Sequence, residues 1–235
     1  MACWGWSPVL RRGDCPPKGN GDQDGHTAGF RRIEPEPVKM KNSIEYIEGK
    51  QWYMKQTNYE IVRAQAQDAP ALINYLKIIG GETENLSFGA EGVPLDLKAE
   101  EAYLGMQAQS HDNLQLLAKV DGEIIGTASL NRRQNRMSHR AEFGISLKKA
   151  WWGCGAASAM AERILAFARE SGVEQINLEV RSDNKRAIAL YEKFGFRKLC
   201  TFPGFFKING ARIDFDLMNL ELSPAAQNGA EKETP

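Results

Sequence analysis

The stretch that most constrains the fold of this chain spans residues 143–196 and is centred on a turn of small residues that begins at Gly153. Before the turn, residues 141–147 alternate apolar and other side chains, which predicts a half-buried strand. After it, apolar residues recur at helical spacing as far as Ala168. The first amides of a helix have no intrahelical acceptors and attract anions where no bulky side chain blocks access. The sequence therefore predicts a phosphate or pyrophosphate at the amides of residues 153–158.

A glycine turn alone is weak evidence, because it is more often a plain strand-to-helix connection. A second motif downstream strengthens the case for a phosphate site. Residues 184–196 read Asn-Lys-Arg-Ala-Ile-Ala-Leu-Tyr-Glu-Lys-Phe-Gly-Phe. Together the two motifs resemble the GCN5-related N-acetyltransferase (GNAT) family. In that family a turn of the form Arg/Gln-x-x-Gly-x-Gly/Ala binds the pyrophosphate of acetyl-CoA, and an Asn-x-x-Ala-x-x-Leu-Tyr-x-x-x-Gly-Phe segment supplies a pantetheine contact and a proton donor. Here Trp152 stands where the family usually has Arg or Gln.

The resemblance implies acyl transfer from the thioester of acetyl-CoA to an amine, with a proton needed for the departing thiolate. Tyr191 is the predicted proton donor, and the alternative is a core tyrosine whose hydroxyl is satisfied elsewhere. Asn184 is predicted to bind the pantetheine arm, and the alternative is that it only caps a helix. The other predicted cofactor contacts lie on the strand and the turn: Ile145, Ser146, Leu147, Trp152, Gly153, Cys154, Gly155, Ala156, Ala157 and Ser158.

The general base is the least constrained assignment. We nominate Glu142, on the strand face opposite Phe143, although a strand glutamate is usually solvated or ion-paired. His111 and His139 are alternatives because imidazole titrates near neutrality, and a chain of waters is a third. Cys154 is interpreted as a small residue of the turn, since no base partner for a catalytic thiol is evident.

Composition limits the class of protein. The chain has 235 residues, of which 42% are hydrophobic and 26% charged, with no net charge. Such a chain is globular, and its charge does not favour nucleic acid or an acidic membrane as partner. No apolar run approaches the roughly 20 residues of a membrane span. The four cysteines show no metal-ligand spacing, so we expect no metal site and a reducing, cytoplasmic location.

The chain divides into three parts. Residues 1–58 lack a sustained period and contain breakers and charges, so they are predicted to be a flexible extension. Residues 59–222 are predicted to form the acetyltransferase domain, and residues 223–235 a disordered tail. The element order matches the layout of the resembled family: a single α/β domain with a mixed, mostly antiparallel sheet and helices on both faces.

Within the domain, Asp68 is a predicted cap for a helix that ends at Gly80-Gly81, and a second helix is predicted over residues 94–109. Ser182 or Asp183 is the predicted cap of the helix that carries Tyr191. Asp121-Gly122 and Asn209-Gly210 predict two-residue hairpin turns. The loop between the first two helices is expected to help select the acceptor.

The leading functional hypothesis is an acetyl-CoA-dependent N-acetyltransferase in which a primary amine attacks directly in a ternary complex. The acceptor is a small-molecule amine or a protein amine. One alternative is a non-catalytic CoA-binding regulatory module with the same fold. Another is an unrelated nucleotide-binding domain, but the chain lacks the Gly-Lys-Ser/Thr ending of a P-loop. Exposed sheet edges are compatible with a homodimer.

Overall fold

The protein is described by a computed structural model, which covers the backbone of residues 40–47 and 51–222 and the side chains of residues 58–222. The strands are β1 (Met40–Ile47), β2 (Gln51–Arg63), β3 (Leu114–Val120), β4 (Glu123–Arg132), β5 (Arg140–Leu147), β6 (Gln175–Arg181), β7 (Arg197–Ile208) and β8 (Ala211–Glu221). The α-helices are α1 (Ala69–Glu82), α2 (Leu97–Gln109), α3 (Ala156–Glu170) and α4 (Lys185–Lys193). Within these described residues, no helix is both long and apolar enough to cross a membrane.

The strands form a mixed sheet in the order β1-β2-β3-β4-β5-β6-β8-β7. Every neighbouring pair is antiparallel except β5 and β6, which run parallel. That parallel pairing is short, with Arg140, Ala141 and Glu142 opposite Gln175, Ile176 and Asn177. Both strands continue beyond these residues without pairing to each other, and we call the resulting opening the splay. The mostly antiparallel sheet confirms the predicted fold class.

Helices cover both faces of the sheet, as predicted. On one face, Met160 and Ile164 of α3 and Tyr191 of α4 share a buried apolar cluster with alternate residues of β5. On the other face, α1 and α2 pack through a separate cluster that includes Leu72 and Leu104. The apolar periodicities of strand and helix thus meet in two cores, one on each side of the sheet.

The order of the chain begins earlier than the sequence pattern indicated. Strand β2, which crosses the predicted domain boundary at Tyr59, extends back to Gln51, and its first half pairs with β1. β1 and the part of β2 before Tyr59 lie in the range assigned to a flexible extension, for which the sequence shows no sustained period. The backbone groups of these two strands satisfy one another by pairing. The domain boundaries themselves stay predictions, and residues 1–39 and 223–235 lie outside the described residues.

Helix α1 differs from the prediction at both ends. Asp68 precedes it, but its carboxylate accepts from the backbone N–H of Gln65 at 2.9 Å and pairs with Lys119 at 2.7 Å instead of capping α1. At the other end, α1 runs through the predicted stop to Glu82. Gly80 has a different role: a Cβ there would lie 1.9 Å from the carbonyl oxygen of Gly89. Gly80 therefore allows the following loop to lie directly against α1.

Both predicted hairpin turns are present, whereas two helices begin at residues other than those predicted. Asp121-Gly122 and Asn209-Gly210 both have positive φ at each residue, as two-residue hairpins require. The cap of α4 is Asn184, not Ser182 or Asp183, since its side chain accepts from the backbone N–H of Ala187 at 3.2 Å. The second helix begins at Leu97 rather than Pro94, because the Asp96 carboxylate caps it.

Candidate functional site

A cavity of about 470 Å³ lies at the splay, between β5, the small-residue turn and α4. Ten of the residues predicted to bind cofactor or donate a proton line it: Ile145, Ser146, Leu147, Trp152, Gly153, Gly155, Ala157, Ser158, Asn184 and Tyr191. Cys154 and Ala156 do not line it, because their side chains pack into the core beneath the turn. The cavity therefore brings together two motifs separated by some thirty residues of sequence.

The turn is shaped by two glycines in the left-handed region. Gly153 has φ 85° and Gly155 has φ 89°, and Gly155 is the N-cap of α3. The first regular helical bond is made by Ala159 N–H to the carbonyl oxygen of Gly155 at 3.0 Å, so the preceding amides lie at the open end of the helix. A Cβ on Gly153 would meet no atom within 4 Å, which shows that this side of the turn is open. Backbone amides without side-chain bulk are the chemistry that an anion needs.

Burial opposes a reactive thiol in this turn. The helix terminus alone favours a thiolate at Cys154. Burial nevertheless raises the pKa of the Cys154 thiol, and the hydrogen bond from the Ala156 backbone only partly offsets this effect. Cys154 is therefore a packed residue of the turn, in agreement with its interpretation from sequence.

Tyr191 lies at the inner end of the cavity and is 1% exposed. Its ring packs edge-on against Phe143, with centroids 6.0 Å apart, and also contacts Phe196. Among the side chains of residues 58–222, none forms a hydrogen bond with its hydroxyl. Burial raises the pKa of Tyr191 above its ordinary value, so the phenol stays protonated at neutral pH. Tyr191 thus presents a protonated hydroxyl that has no hydrogen-bond partner among these residues.

Asn184 and Ser146 have structural partners as well as a place in the cavity wall. The Asn184 side-chain oxygen caps α4, which leaves its amide nitrogen as the group that could contact a ligand. The Ser146 hydroxyl bonds to the Tyr75 hydroxyl at 2.8 Å. What Ser146 offers the cavity is therefore chiefly its backbone, as expected for the unpaired edge of β5.

Trp152 adopts a role that its sequence position did not reveal. Its indole N–H donates to the carbonyl oxygen of Leu147 at 2.9 Å, and the ring remains 38% exposed. The Arg186 guanidinium lies over this ring, 4.7 Å from its centroid, and lines the same cavity. Lys149 approaches the ring less closely, at 5.9 Å. Trp152, the first residue of the turn, is uncharged, but its ring contacts the Arg186 guanidinium and so places a cation at the cavity.

Glu142 lies elsewhere. It occupies the α1/α2 face of the sheet at the last pair before the splay, where Arg133 donates to it at 2.5 Å, and it does not line the cavity. Burial raises the pKa of Glu142 to about 6; Arg133 opposes the shift and Glu179 adds to it. Glu179 follows two residues after the partner of Glu142 on β6, and one of its carboxylate oxygens is buried without a hydrogen bond among the described residues. A pair of interacting carboxylates therefore flanks the splay on this face.

A second cavity, of about 400 Å³, lies next to the first, and Thr83 lines both. Its walls are the loop of residues 83–91, brought close by Gly80, and the end of β7. Phe88, Phe205 and Phe206 supply aromatic surface, with Glu84, Glu91 and Lys207 as its charged members. The second cavity thus shares one wall residue, Thr83, with the first.

Sequence reasoning missed Thr83, Asn85, Arg186 and Glu179. The signal for Glu179 was present, because alternation in β6 places it on the polar face with Asn177. The signal for Arg186 was its place two residues after Asn184, on the first turn of α4. No signal marked Thr83 and Asn85, which reach the cavity only because the loop after α1 folds back. His111 and His139 do not line either cavity.

Comparison with known proteins agrees with this geometry. The family description "Acetyltransferase (GNAT) family" matches residues 84–196. The L-amino acid N-acetyltransferase AaaT of Escherichia coli is 34% identical over 102 residues, 43% of this chain and 63% of that protein, so the match covers less than two thirds of its length. The N-alpha-acetyltransferase RimI of Mycobacterium tuberculosis is 30% identical over 111 residues, 47% of this chain and 68% of that protein.

Solved structures extend the likeness to the whole fold. An acetyltransferase of the GNAT family from Streptococcus pneumoniae superposes with a TM-score of 0.67 and 27% identity, covering 71% of this chain and all of that one. The YncA protein of Salmonella typhimurium, solved with its cofactor acetyl-CoA, has the same fold with a TM-score of 0.62 and 21% identity, over 74% of this chain and 99% of that one. The sheet with its splay, the two motifs at one cavity and these relatives lead to one conclusion: the chain belongs to the GNAT acetyltransferase family.

Proposed function

We propose that this protein is an N-acetyltransferase that moves an acetyl group from acetyl-CoA to a primary amine by direct attack in a ternary complex. The observation that carries the proposal is the meeting of the glycine turn, the unpaired edge of β5 and the Tyr191 hydroxyl at one cavity. The described residues fit the cofactor, because an open cradle of amides suits the pyrophosphate and an unpaired strand edge suits the amide-bearing pantetheine arm. Acetyl-CoA supplies the activated acetyl thioester.

The residues divide the work by position. The backbone amides of residues 153–158 hold the pyrophosphate, while Ile145, Ser146 and Leu147 offer backbone groups to the pantetheine arm. Asn184 contacts the same arm through its free amide nitrogen. These contacts fix the thioester next to Tyr191, and positioning of this kind supplies a large part of the rate of an acyl transfer.

Tyr191 donates the proton that the departing thiolate needs. Its phenol is protonated at neutral pH, as an ordinary tyrosine is, and burial raises its pKa further; its hydroxyl is not engaged by another described side chain. The ring contacts with Phe143 and Phe196 hold it in one orientation. A fixed, protonated donor is what general-acid catalysis requires.

Glu142 is the proposed general base, with a pKa raised to about 6 that suits proton uptake near neutral pH. Since Glu142 does not line the cavity, the proposal requires the acceptor ammonium, or a water bonded to it, to reach the polar face of the sheet. Glu179 lies along that route and helps to raise the pKa of Glu142.

The acceptor is proposed to enter through the second cavity, since Thr83 joins the two. Its charged lining residues are Glu84, Glu91 and Lys207, and Glu84 is paired with Arg181 at 3.5 Å. The Glu91 carboxylate is the lining group that favours an amine in its protonated form. Both proposed classes of acceptor, a small-molecule amine and a protein amine, meet this requirement. The names of the two relatives support an amine acceptor in each class. One is an L-amino acid N-acetyltransferase, and the other is an N-alpha-acetyltransferase.

The test is calorimetric titration with acetyl-CoA, free CoA and ATP, followed by a thiol-release assay with a panel of amino acids, polyamines and peptide amines. We expect selective binding of acetyl-CoA and thiol release with at least one amine. Binding without release for any amine would favour the non-catalytic CoA-binding module instead. Absence of acetyl-CoA binding by folded protein would reject both. The cytoplasmic location and the homodimer stay predictions.

A further inference from the structure

The small-residue turn is unusual in having no charged side chain to meet an anion. Residues 152–158 read Trp-Gly-Cys-Gly-Ala-Ala-Ser, so their contribution to anion binding is limited to backbone dipoles and the Ser158 hydroxyl. Phosphate groups are usually paired with Arg or Lys in addition to amides, because charge-assisted hydrogen bonds are the stronger ones. A cation from outside the turn would therefore strengthen phosphate binding at these amides.

Two cations lie near the Trp152 ring, and only one of them is in the cavity. Arg186 lies 4.7 Å from the ring centroid and lines the cavity. Lys149 lies 5.9 Å away and is not part of the lining. Arg186 has no carboxylate partner within salt-bridge distance among the described residues, unlike Arg181, which pairs with Asp183 at 2.7 Å. Its guanidinium is thus free to pair with an anion.

We propose that the Arg186 guanidinium, held against the face of Trp152, pairs with a phosphate group of the cofactor and supplies the positive charge that the turn lacks. The inference rests on the proposed function. Trp152 acts through Arg186 and is a positioning residue. Its indole N–H is fixed on the Leu147 carbonyl, so the ring is held as a rigid surface on which the guanidinium stacks.

The chemistry of the ring explains why a tryptophan serves at this position. A guanidinium stacked on an aromatic face keeps its N–H groups directed outward, in the plane that phosphate oxygens approach. Stacking also restricts a side chain that would otherwise lose much rotational freedom on binding. The turn itself thus needs no charged side chain, because Arg186 of α4 reaches it and is held there by the Trp152 ring.

The experiment measures dissociation constants by calorimetry for acetyl-CoA, dephospho-CoA and pantetheine, which has no phosphate. Arg186→Gln is expected to weaken acetyl-CoA binding about tenfold, with the loss shrinking as salt is added. Pantetheine binding should not change. An equal loss with dephospho-CoA assigns the partner as the pyrophosphate, and a loss confined to acetyl-CoA assigns it as the 3′-phosphate.

Substitutions of the tryptophan test the positioning role. Trp152→Phe keeps an aromatic face and should retain most of the affinity, although it loses the bond to Leu147. Trp152→Leu should weaken acetyl-CoA binding about as much as Arg186→Gln does. The double variant Trp152→Leu/Arg186→Gln should bind acetyl-CoA no more weakly than Arg186→Gln alone, because the two side chains act as a unit. Lys185→Gln is the matched control, since Lys185 is an exposed neighbouring cation on α4 that does not line the cavity.

The outcomes separate this inference from the proposed function. If the wild-type protein does not bind acetyl-CoA, the proposed function fails. If it binds and Arg186→Gln stays within twofold of wild type, or if pantetheine binding falls by the same factor, the phosphate contact is rejected while the function stands. A loss in Lys185→Gln equal to that in Arg186→Gln would also reject it, because the effect would then be one of general charge.

Discussion

The two sides of the splay are built in different ways. On the α3/α4 face, the cavity wall is made of strand backbone, a glycine turn and helix ends, so regular secondary structure creates the site. At the second cavity, the wall consists of the loop of residues 83–91 and side chains of β7. Nearby α2 buries the Glu100 carboxylate without a hydrogen-bond partner among the described residues. Backbone geometry can carry the recognition of a constant ligand, whereas the recognition of a variable one depends on side chains and loops.

The largest effect on acetyl-CoA affinity is expected from a negative charge placed among the backbone amides of residues 153–158. Gly155→Glu adds bulk at φ 89° and a like charge at the pyrophosphate, so acetyl-CoA affinity should fall by ~100-fold or more. Gly172→Glu is the matched control, because Gly172 also has positive φ, at 71°, but lies at the other end of α3 with open space around it. Titration of both variants checks the effect, and equal losses would show that strain rather than charge is responsible.

The next test removes the hydroxyl oxygen of Tyr191, which lines the cavity. Tyr191→Phe keeps the ring contacts with Phe143 and Phe196 but removes the proton donor. Turnover should fall by about 100-fold, at the lower end of general-acid effects, while acetyl-CoA affinity stays close to that of wild type. Steady-state kinetics and titration check the two halves separately. Unchanged turnover would assign Tyr191 to packing alone.

On the α1/α2 face, the prediction concerns stability. Glu100 is 1% exposed, neither of its carboxylate oxygens has a hydrogen-bond partner among the described residues, and burial raises its pKa from 4.5 to about 7. Between those pH values the folded protein holds a proton that the unfolded chain has released, so stability falls as pH rises through this window. Glu100→Gln does not titrate and should be more stable above pH 7, by at most about 3 kcal/mol.

Denaturant unfolding at pH 5 and pH 8 measures that effect. The difference in unfolding free energy between the two pH values should be smaller in Glu100→Gln than in wild type. An unchanged difference would show that the carboxylate has a compensating partner. Acetyl-CoA affinity should be the same in both proteins, because Glu100 does not line the cofactor cavity.

A smaller effect is expected where the loop contacts α1. In Gly80→Ala the new Cβ would lie 1.9 Å from the Gly89 carbonyl oxygen, so the loop must move and the KM for the acceptor should rise by about tenfold. Acetyl-CoA affinity should change little. Gly81→Ala is the control, since its Cβ would make an ordinary 3.5 Å contact with Ala90 and helix propensity would improve. Similar kinetics for the two variants would contradict the role of the loop.

The smallest predicted effect is a shift in pH dependence. With Glu142 as base, kcat/KM should rise with pH through about 6, the raised pKa of that carboxyl. Glu179→Gln removes a like charge that raises this pKa, so the rise should move to lower pH by a fraction of a unit. Glu142→Gln should abolish the rise. A profile that persists in Glu142→Gln would transfer the role of base to another group.

The same contrast explains how much of the molecule could be predicted from sequence. Most strands and helices follow from local periodicity, and Gly153, Gly155 and Tyr191 follow from motifs whose spacing is fixed by a strand, a turn and a helix. Long-range contacts could not be predicted in this way. Asp68 resembles a helix cap but pairs with Lys119, and Gly80 resembles a helix stop but accommodates the Gly89 backbone. Arg186 was missed because its partner, Trp152, lies far away in sequence.

The short parallel seam between β5 and β6 has a mechanical consequence. Within the described strands, three residue pairs join β5 to β6, fewer than join any other neighbouring pair, so this seam is the weakest line across the sheet. Under the proposed function, a cofactor bonded to the free edge of β5 would act there as a short extra strand. Binding would then raise the melting temperature and slow amide exchange along β5 and β6. The cofactor would thus be a reversible structural part of the sheet as well as a reactant.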